Sequence, residues 1–219
     1  MGYKRGRFKV TQKASDLLPA FLEQLREANK VVSAMWSKSQ EEYFSNYMPA
    51  SREDVDLSLF SHLLPAAPAR VLDLGCNNGE IVMALRGKGY DAYGVDLPQV
   101  IRRVIETYYP YYASDWLLPC NLEKDELPVG KFQLVLALAV IEHIINWKIL
   151  LRTVYQALTP AGVFFLTSCD SHVIARDPWH WRHFTVEELK EEATEAGFSD
   201  AQGYSDGPSL RMVLKRGEI

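Results

Sequence analysis

The chain has 219 residues, of which 47% are hydrophobic and 24% are charged, and its net charge is −4. This composition is typical of one folded α/β domain with an elaboration, and it excludes a disordered chain. The negative charge argues against nucleic acid as the main partner. No apolar run in the sequence reaches the roughly 18 residues of a membrane span.

The first residues and the cysteines indicate the expected compartment. The start, Met-Gly-Tyr-Lys-Arg-Gly, has no signal-peptide apolar region, and Gly6 stands where a myristoylation motif needs Ser or Thr. Cys76, Cys120 and Cys169 form no Cys-x-x-Cys pair, which argues against disulfides and structural zinc. We therefore expect a cytoplasmic protein without a metal site. Each cysteine follows a predicted strand, so a shared thiol pocket is the minor alternative to three small core residues.

Residues 1–65 are predicted to form a basic tail and a helical elaboration. Hydrophobic periodicity predicts three helices in this part of the chain. The third begins at a pattern that resembles a capping box, Ser51 with Asp54, and is expected to continue to Leu64. These helices either cover a ligand pocket or pack against the edge of the main fold.

The segment 70–80, Arg-Val-Leu-Asp-Leu-Gly-Cys-Asn-Asn-Gly-Glu, predicts a strand, a glycine turn and a helix. Residues 71–74 have the apolar character of a buried strand, and the helix is expected from Gly79 to about Lys88. Gly75 lets the chain turn sharply and lets a ligand approach the backbone, whereas Gly79 lets helix and strand pack closely. Open α/β folds build nucleotide sites in this way.

Acidic residues near this turn distinguish between two kinds of nucleotide. A dinucleotide fingerprint needs its third glycine where this chain has Glu80, and Asp73 adds a second carboxylate. Two carboxylates repel a diphosphate and favour a ligand with positive charge. The pattern Asp-x-Gly-x-x-x-Gly resembles the first motif of class I S-adenosylmethionine-dependent methyltransferases, whose cofactor has a sulfonium and an ammonium. The resemblance implies a cofactor site that includes Asp73, Gly75, Cys76, Asn77 and Gly79.

Asn77 departs from this family, which usually has a second glycine at that position. Asn adopts positive φ at modest cost, so the turn can still form. Its side chain crowds the loop and puts the usual cofactor affinity in doubt. A catalytically silent regulator that binds the cofactor is therefore one alternative function.

A second strand is predicted from Asp91 to Asp96. Asp96 lies about 20 residues beyond Gly75, the spacing at which a carboxylate meets ribose hydroxyls in α/β nucleotide sites. The alternative role is a cap for a helix from Gln99. The resemblance implies that Leu97 also lines the cofactor site.

The segment Trp116-Leu-Leu-Pro-Cys-Asn-Leu-Glu resembles the family's third-strand loop. The resemblance implies that Asn121 and Leu122 hold the adenine edge. An amide suits this role because it both donates and accepts hydrogen bonds.

The near-continuous apolar run from Phe132 to Val140 predicts a central strand that is buried on both faces. Glu142 and His143 follow it, at the strand end where open α/β sheets bind ligands. The family's fourth motif has this form, and the resemblance places Ala139 in the cofactor site. We predict that His143 is a general base or orients the acceptor and that Glu142 steadies it. Adjacent strand residues point to opposite faces, so only one of the two is expected to enter the pocket.

The remaining sequence completes the predicted sheet. A helix capped by Asn146 and a turn at 160–162 precede a strand that ends near Cys169. Residues 171–183 form a long loop rich in His and Trp, in which His180 and His183 are the alternative candidates for the base.

The last part of the chain is predicted to contain one helix and two strands. Thr185 resembles the start of a capping box, and Gly197 ends the helix. Two final strands meet at Asp206-Gly207, a hairpin signal. The family also ends its sheet with an antiparallel pair.

The resemblance covers about residues 66–219 and implies a Rossmann-like, seven-stranded, mostly parallel sheet with a terminal antiparallel hairpin. It predicts methyl transfer from S-adenosylmethionine to O or N of a small-molecule, glycan or lipid acceptor by a monomer or homodimer. An RNA methyltransferase is the other alternative, motivated by the basic tail and the aromatic residues. The chain has neither a basic stripe on the core nor an Asn/Asp-Pro-Pro-Tyr motif.

Overall fold

A central β-sheet organises the computed structural model, which describes residues 55–108, 115–128, 130–170 and 180–218. The strands are β1 Arg70–Leu74, β2 Asp91–Asp96, β3 Leu117–Pro119, β4 Phe132–Leu138, β5 Leu158–Cys169, β6 Asp200–Asp206 and β7 Ser209–Lys215. The α-helices are α1 Glu80–Gly87, α2 Pro98–Tyr108, α3 Trp147–Ala157 and α4 Val186–Ala196. Two short 3₁₀ helices cover Ser61–Leu63 and Ile141–His143.

The strand order is β3-β2-β1-β4-β5-β7-β6. Neighbouring strands from β3 to β5 are parallel, and β7 is antiparallel to both β5 and β6. The chain progresses outward in opposite directions from β1 and from β4, so the strand order reverses between them. Ligands of open α/β sheets bind at such a point, beyond the carboxyl ends of the strands. The predicted fold class is confirmed.

The core lies along the central strands and the helices packed on them. In β4, residues 134–137 are fully buried, as the apolar run predicted. Trp147 of α3 packs edge-on against Phe184, with ring centroids 5.0 Å apart. This contact joins the start of α3 to the chain just before α4, so two connecting segments are fixed near the carboxyl end of β4.

The predicted third helix is wrong where the structure describes it. Residues 55–60 form no helix, and only Ser61–Leu63 makes a single 3₁₀ turn. The carboxylate of Asp56 accepts the backbone amide of Ser58 at 2.8 Å, a local bond that competes with a helix. Burial of Phe60 against Phe165 also fixes this segment by a tertiary contact. The rest of the predicted elaboration, residues 1–54, lies outside the described residues and stays a prediction.

The helix ends test the capping predictions. Thr185 accepts the amide of Glu188 at 3.1 Å, and Gly197 ends α4 with φ of 109°, so both predictions are confirmed. Asn146 lies at the N-cap of α3 but makes no side-chain cap. The carboxylate of Glu123 accepts its backbone amide at 3.2 Å, which corrects the predicted source of the cap.

The predicted turn at 160–162 lies within β5, where it forms an irregularity in the pairing with β4. Leu158 pairs with Phe132 and Val163 pairs with Leu134, so extra residues of β5 bulge between these two pairs. The final hairpin turns through Gly207 and Pro208, because Asp206 already pairs with Ser209. In the part of the chain that the structure describes, no helix is both long enough and apolar enough to cross a bilayer.

Candidate active site

The loop after β1 is fixed by backbone hydrogen bonds to the neighbouring strand. Gly75 and Cys76 both donate their amides to the carbonyl of Val95, at 2.8 and 3.0 Å. The amide of Gly79 then bonds to the carbonyl of Cys76 at 2.8 Å, which closes a tight turn before α1. The turn thus lies beside the point where the strand order reverses.

Three residues of this turn have positive φ: Gly75 at 68°, Asn77 at 47° and Gly79 at 76°. Asn77 has left-handed backbone angles and the turn still forms, which confirms the prediction that asparagine can replace the usual glycine here. Its backbone amide donates to Asp96 Oδ2 at 2.9 Å. Among the described residues, its buried side-chain oxygen has no hydrogen-bond partner. The asparagine therefore supports the turn by its backbone, and its side chain adds a buried polar atom.

The two glycines are required by packing as well as by φ. A methyl group on Gly79 would lie 2.8 Å from Leu117 Cδ1, so the start of α1 lies close to β3. A methyl on Gly75 would lie 2.6 Å from Val140 Cγ2, at the carboxyl end of β4. The glycine motif thus holds three strand ends close together.

The substitution Gly75→Ala is expected to lower the free energy of unfolding by about 2–5 kcal/mol. Left-handed φ costs about 1–2 kcal/mol for a residue with a Cβ, and overpacking adds about 1–3 kcal/mol. Urea unfolding measures the loss. Gly207→Ala is the matched control, because its φ is 61° and no described atom lies within 4 Å of its added methyl.

The double variant Gly75→Ala/Val140→Ala should recover part of the lost free energy of unfolding. The Val140→Ala change removes the clash with the added methyl but not the strain of the left-handed backbone. Equal effects of Gly75→Ala and Gly207→Ala would contradict the packing argument.

Asp96 connects β2 to the turn after β1. Its carboxylate accepts the amide of Asn77 at 2.9 Å and that of Leu97 at 2.7 Å. Burial raises the pKa of Asp96, and these two hydrogen bonds partly oppose the rise. The amide of Leu97 belongs to the residue just before α2, so a cap of this helix stays an alternative to the ribose contact for Asp96.

Asp73 is almost completely buried at the end of β1, with 3% of its surface exposed. Desolvation, with a contribution from the charge of Asp96, raises the pKa of Asp73 to about 8. The carboxyl is therefore mostly neutral at pH 7. Our expectation that Asp73 would supply a second negative charge against a diphosphate is wrong for the ligand-free protein at this pH.

The loop after β3 contains the residues predicted for the adenine edge. Asn121 Oδ1 accepts the amide of Glu123 at 3.0 Å, so the side chain of Asn121 also stabilises its own loop. Leu122 is partly buried against the core. Sequence reasoning gave no role to Glu123. Its carboxylate accepts the amide of Ile145 and the side-chain amide of Asn146, the latter at 2.9 Å.

Glu142 and His143 lie in a 3₁₀ turn rather than on the strand, so the expected alternation between faces does not apply. Glu142 is fully buried and accepts the hydroxyl of Ser168 at 3.0 Å. His143 is half-buried, and its ring centroid is 4.9 Å from that of His180. His180 Nδ1 in turn lies 3.4 Å from His183 Nε2. The structure thus brings the predicted catalytic residues together in one cluster.

Ala139 immediately precedes this cluster. It is exposed and has φ of 55°, and its amide donates to Thr167 Oγ1 at 3.1 Å. Its small side chain is therefore exposed to solvent just beyond the carboxyl end of β4.

The chain from 180 to 184 is attached to the turn after β4 and to the end of β5. The amide of Trp181 donates to the carbonyl of Glu142 at 2.9 Å, and the amide of Phe184 donates to that of Cys169 at 3.4 Å. Arg182 forms an ion pair with Glu188 of α4. The histidines of this segment are therefore fixed by backbone bonds at both ends. The earlier part of the predicted loop, 171–179, lies outside the described residues.

The three cysteines have different neighbours. Cys76 packs beneath Gly94, where a Cβ would lie 2.7 Å from its sulfur, and burial raises its pKa. Cys120 lies 3.8 Å from the carbonyl of Glu126, and its pKa rises to about 11, mainly by burial. Both are thiols at neutral pH. Cys169 instead lies beside Glu142 and His180, a grouping that sequence reasoning missed.

Comparison with known proteins identifies the family. A family model described as a methyltransferase domain matches residues 35–202, more than half of the chain. The chain belongs to this methyltransferase family. The predicted resemblance to the class I S-adenosylmethionine-dependent methyltransferases is thereby confirmed.

One curated relative is the ubiquinone biosynthesis O-methyltransferase of Albidiferax ferrireducens. It is 29% identical over 120 residues, which are 51% of this methyltransferase and 46% of the relative. The chain thus spans about half the length of the curated relative that it matches.

Solved methyltransferases have the same fold. The CcbJ methyltransferase of Streptomyces caelestis has a TM-score of 0.64 at 16% identity, with 80% of this chain and 95% of that chain covered. Human N-acetylserotonin methyltransferase, in complex with S-adenosylmethionine, has a TM-score of 0.54 at 17% identity. The match covers 68% of this chain and 48% of that chain. At these identities the likeness concerns the fold.

Proposed function

We propose that this methyltransferase transfers the methyl group of S-adenosylmethionine to a hydroxyl oxygen of a small-molecule acceptor, with His143 as the general base. The observation that carries the proposal is the cluster of His143, His180 and His183 at the carboxyl end of β4. The cluster lies beside the glycine turn, because Gly75 contacts Val140. A methyl donor and a proton acceptor can therefore act at neighbouring strand ends.

In the proposed complex, the cofactor binds along the loops after β1, β2 and β3. Asp96 accepts the ribose hydroxyls with the lone pairs that remain beyond its bonds to Asn77 and Leu97. Asn121 and Leu122 contact the adenine. Gly75 lets the methionine part approach the backbone, and Asp73 ionises when the positively charged ligand is near. The human neighbour that was solved with S-adenosylmethionine supports the choice of cofactor.

The transfer itself needs position and one proton acceptor. The acceptor oxygen attacks the methyl carbon in line with the carbon–sulfur bond, and the sulfonium leaves as a neutral thioether. His143 takes the hydroxyl proton, because a neutral imidazole is an effective proton acceptor. Glu142 holds the 3₁₀ turn through its bonds to Ser168 and Trp181, so it positions His143.

Oxygen is favoured over nitrogen because the matched relative is named an O-methyltransferase. A hydroxyl also needs a base more than a neutral amine does, since an amine attacks with its free lone pair. Incubation with radiolabelled S-adenosylmethionine and organic extracts, after nuclease treatment, tests the proposal. We expect the label in a small product. Alkali should not release this label, whereas it would release the methyl group of a methyl ester. Label in RNA only, or cofactor binding without transfer, would overturn it.

The substitution Asp96→Asn is expected to weaken cofactor binding by about 1.5–3 kcal/mol, the range for a hydrogen bond to a charged group. Asparagine keeps only one of the two oxygens that accept the amides of Asn77 and Leu97, so urea unfolding of the variant is measured beside the affinity to separate the ribose contact from the turn. Calorimetric titration with S-adenosylmethionine and with NAD measures the affinities, and NAD is not expected to bind.

Asp91→Asn is the control for this experiment, because Asp91 begins the same strand and pairs with Arg70 at 3.1 Å, far from the loops. Equal losses of affinity in the two variants would rule out a specific ribose contact.

A further inference from the structure

We propose that Glu142, Cys169 and His180 form a binding site for a borderline-soft divalent cation, zinc in the first instance. One carboxylate oxygen, the thiol sulfur and one imidazole nitrogen all lie within 4.8 Å of one another. The three residues come from the turn after β4, the end of β5 and the segment before α4. The proposal is independent of methyl transfer, although the site adjoins His143.

The distances suit zinc after a small adjustment. Zinc binds oxygen, nitrogen and sulfur at about 2.0–2.3 Å in tetrahedral geometry, which places its ligands about 3.3–3.8 Å apart. Side-chain movements of about 1 Å therefore close the site. Three protein ligands leave one position for water or for an acceptor oxygen, the arrangement typical of an open zinc site.

The donor atoms select the class of metal. Magnesium and calcium prefer oxygen ligands, whereas a thiolate and an imidazole favour zinc and its borderline neighbours. The coordinated sulfur of Cys169 would be a thiolate, because metal binding releases the proton of the thiol. A glutamate and a thiolate together balance the two positive charges of the ion.

The backbone holds the three ligand segments together without the metal. Trp181 bonds to the carbonyl of Glu142, and Phe184 bonds to the carbonyl of Cys169. His180 is therefore fixed next to both partners by the residues that follow it. This arrangement lowers the ordering cost of binding.

Neighbouring side chains are placed to orient the ligands. The hydroxyl of Ser168 donates to Glu142 Oε2 at 3.0 Å and fixes the plane of the carboxylate. His183 Nε2 lies 3.4 Å from His180 Nδ1, so coordination through the other ring nitrogen lets Nδ1–H donate to His183. Such outer contacts are characteristic of metal-ligating histidines and carboxylates.

Metal titration of the purified 219-residue chain tests the site. After chelator treatment and removal of the chelator, we expect about one zinc per chain in a competition titration with a chromophoric indicator. Bound cobalt should give a thiolate-to-metal charge-transfer band. Millimolar magnesium should not displace the cobalt. Neither readout requires cofactor or methyl transfer.

Cys169→Ser and His180→Gln are each expected to weaken zinc binding by about 100-fold or more, since even loss of an outer contact costs about 10–100-fold. Cys120→Ser is the matched control: this buried thiol bonds to Glu126 and should leave the affinity and the cobalt band unchanged. Circular dichroism shows whether each variant folds, and a Ser168→Ala variant gives a milder second test.

Two results would overturn the proposal: no stoichiometric zinc binding by the wild type, or equal effects of Cys169→Ser and Cys120→Ser. Methyl transfer by metal-free protein with no zinc binding would leave the proposed function standing and reject the metal site. Zinc binding that depends on Cys169, without methyl transfer, would support the site and reject the function.

Discussion

The substitution His143→Ala is expected to lower the turnover number for methyl transfer by about 10²–10⁴-fold, the contribution of general base catalysis. Cofactor affinity should be almost unchanged, because the proposed cofactor contacts lie on the loops after β1, β2 and β3. Steady-state kinetics and calorimetric titration measure the two effects separately. Zinc affinity should also persist, since His143 is not one of the three proposed ligands.

His62→Ala is the control for this variant, because His62 is exposed on a separate 3₁₀ turn. A nearly normal rate for His143→Ala, together with inactive His180→Ala or His183→Ala variants, would contradict the assignment. The proton would then be taken by the segment before α4, which supplies the other imidazoles of the cluster.

Asp73→Asn is expected to stabilise the ligand-free protein by several kcal/mol at pH 9 but hardly at pH 4. The pKa of Asp73 is about 8 in the folded protein against 3.8 for an exposed Asp, mainly through desolvation. Ionisation of Asp73 therefore lowers the free energy of unfolding as the pH rises from about 4 to 8. Above that range the contribution of Asp73 is constant. Each unit of the difference corresponds to about 1.4 kcal/mol.

Urea unfolding of wild type and variant at pH 4, 6, 8 and 9 measures this difference. Asp91→Asn is the control, since it removes surface ion pairs with Arg70 and Arg86 and should not stabilise the protein. A difference between Asp73→Asn and wild type that stays constant from pH 4 to pH 9 would show that Asp73 ionises normally in the folded state.

The sequence was sufficient to predict the sheet, because the sheet depends on local patterns. The apolar run of β4 and the alternation of strands and helices require only burial and backbone geometry. Gly75 and Gly79 were predicted for their conformational freedom, and both have positive φ. Their strongest packing contacts, to Val140 and Leu117, join segments far apart in the sequence and were not predictable.

The same limit explains the features that sequence reasoning missed or mistook. Glu123 supports the start of α3 from another loop, so the local pattern pointed to Asn146 instead. The high pKa of Asp73 arises from burial among strands that no motif describes. Cys169 joins Glu142 only because β4 and β5 are adjacent and their carboxyl ends meet.

The hydrogen bonds of Glu123 have a consequence for how the binding of one ligand affects the binding of another. This side chain connects the loop that contains Asn121 to Ile145 and Asn146, which follow His143 in the chain. A ligand that orders one of these segments therefore also orders the other. Such coupling of binding free energies is reciprocal. We thus expect positive heterotropic cooperativity, in which donor and acceptor each tighten the binding of the other by the same factor.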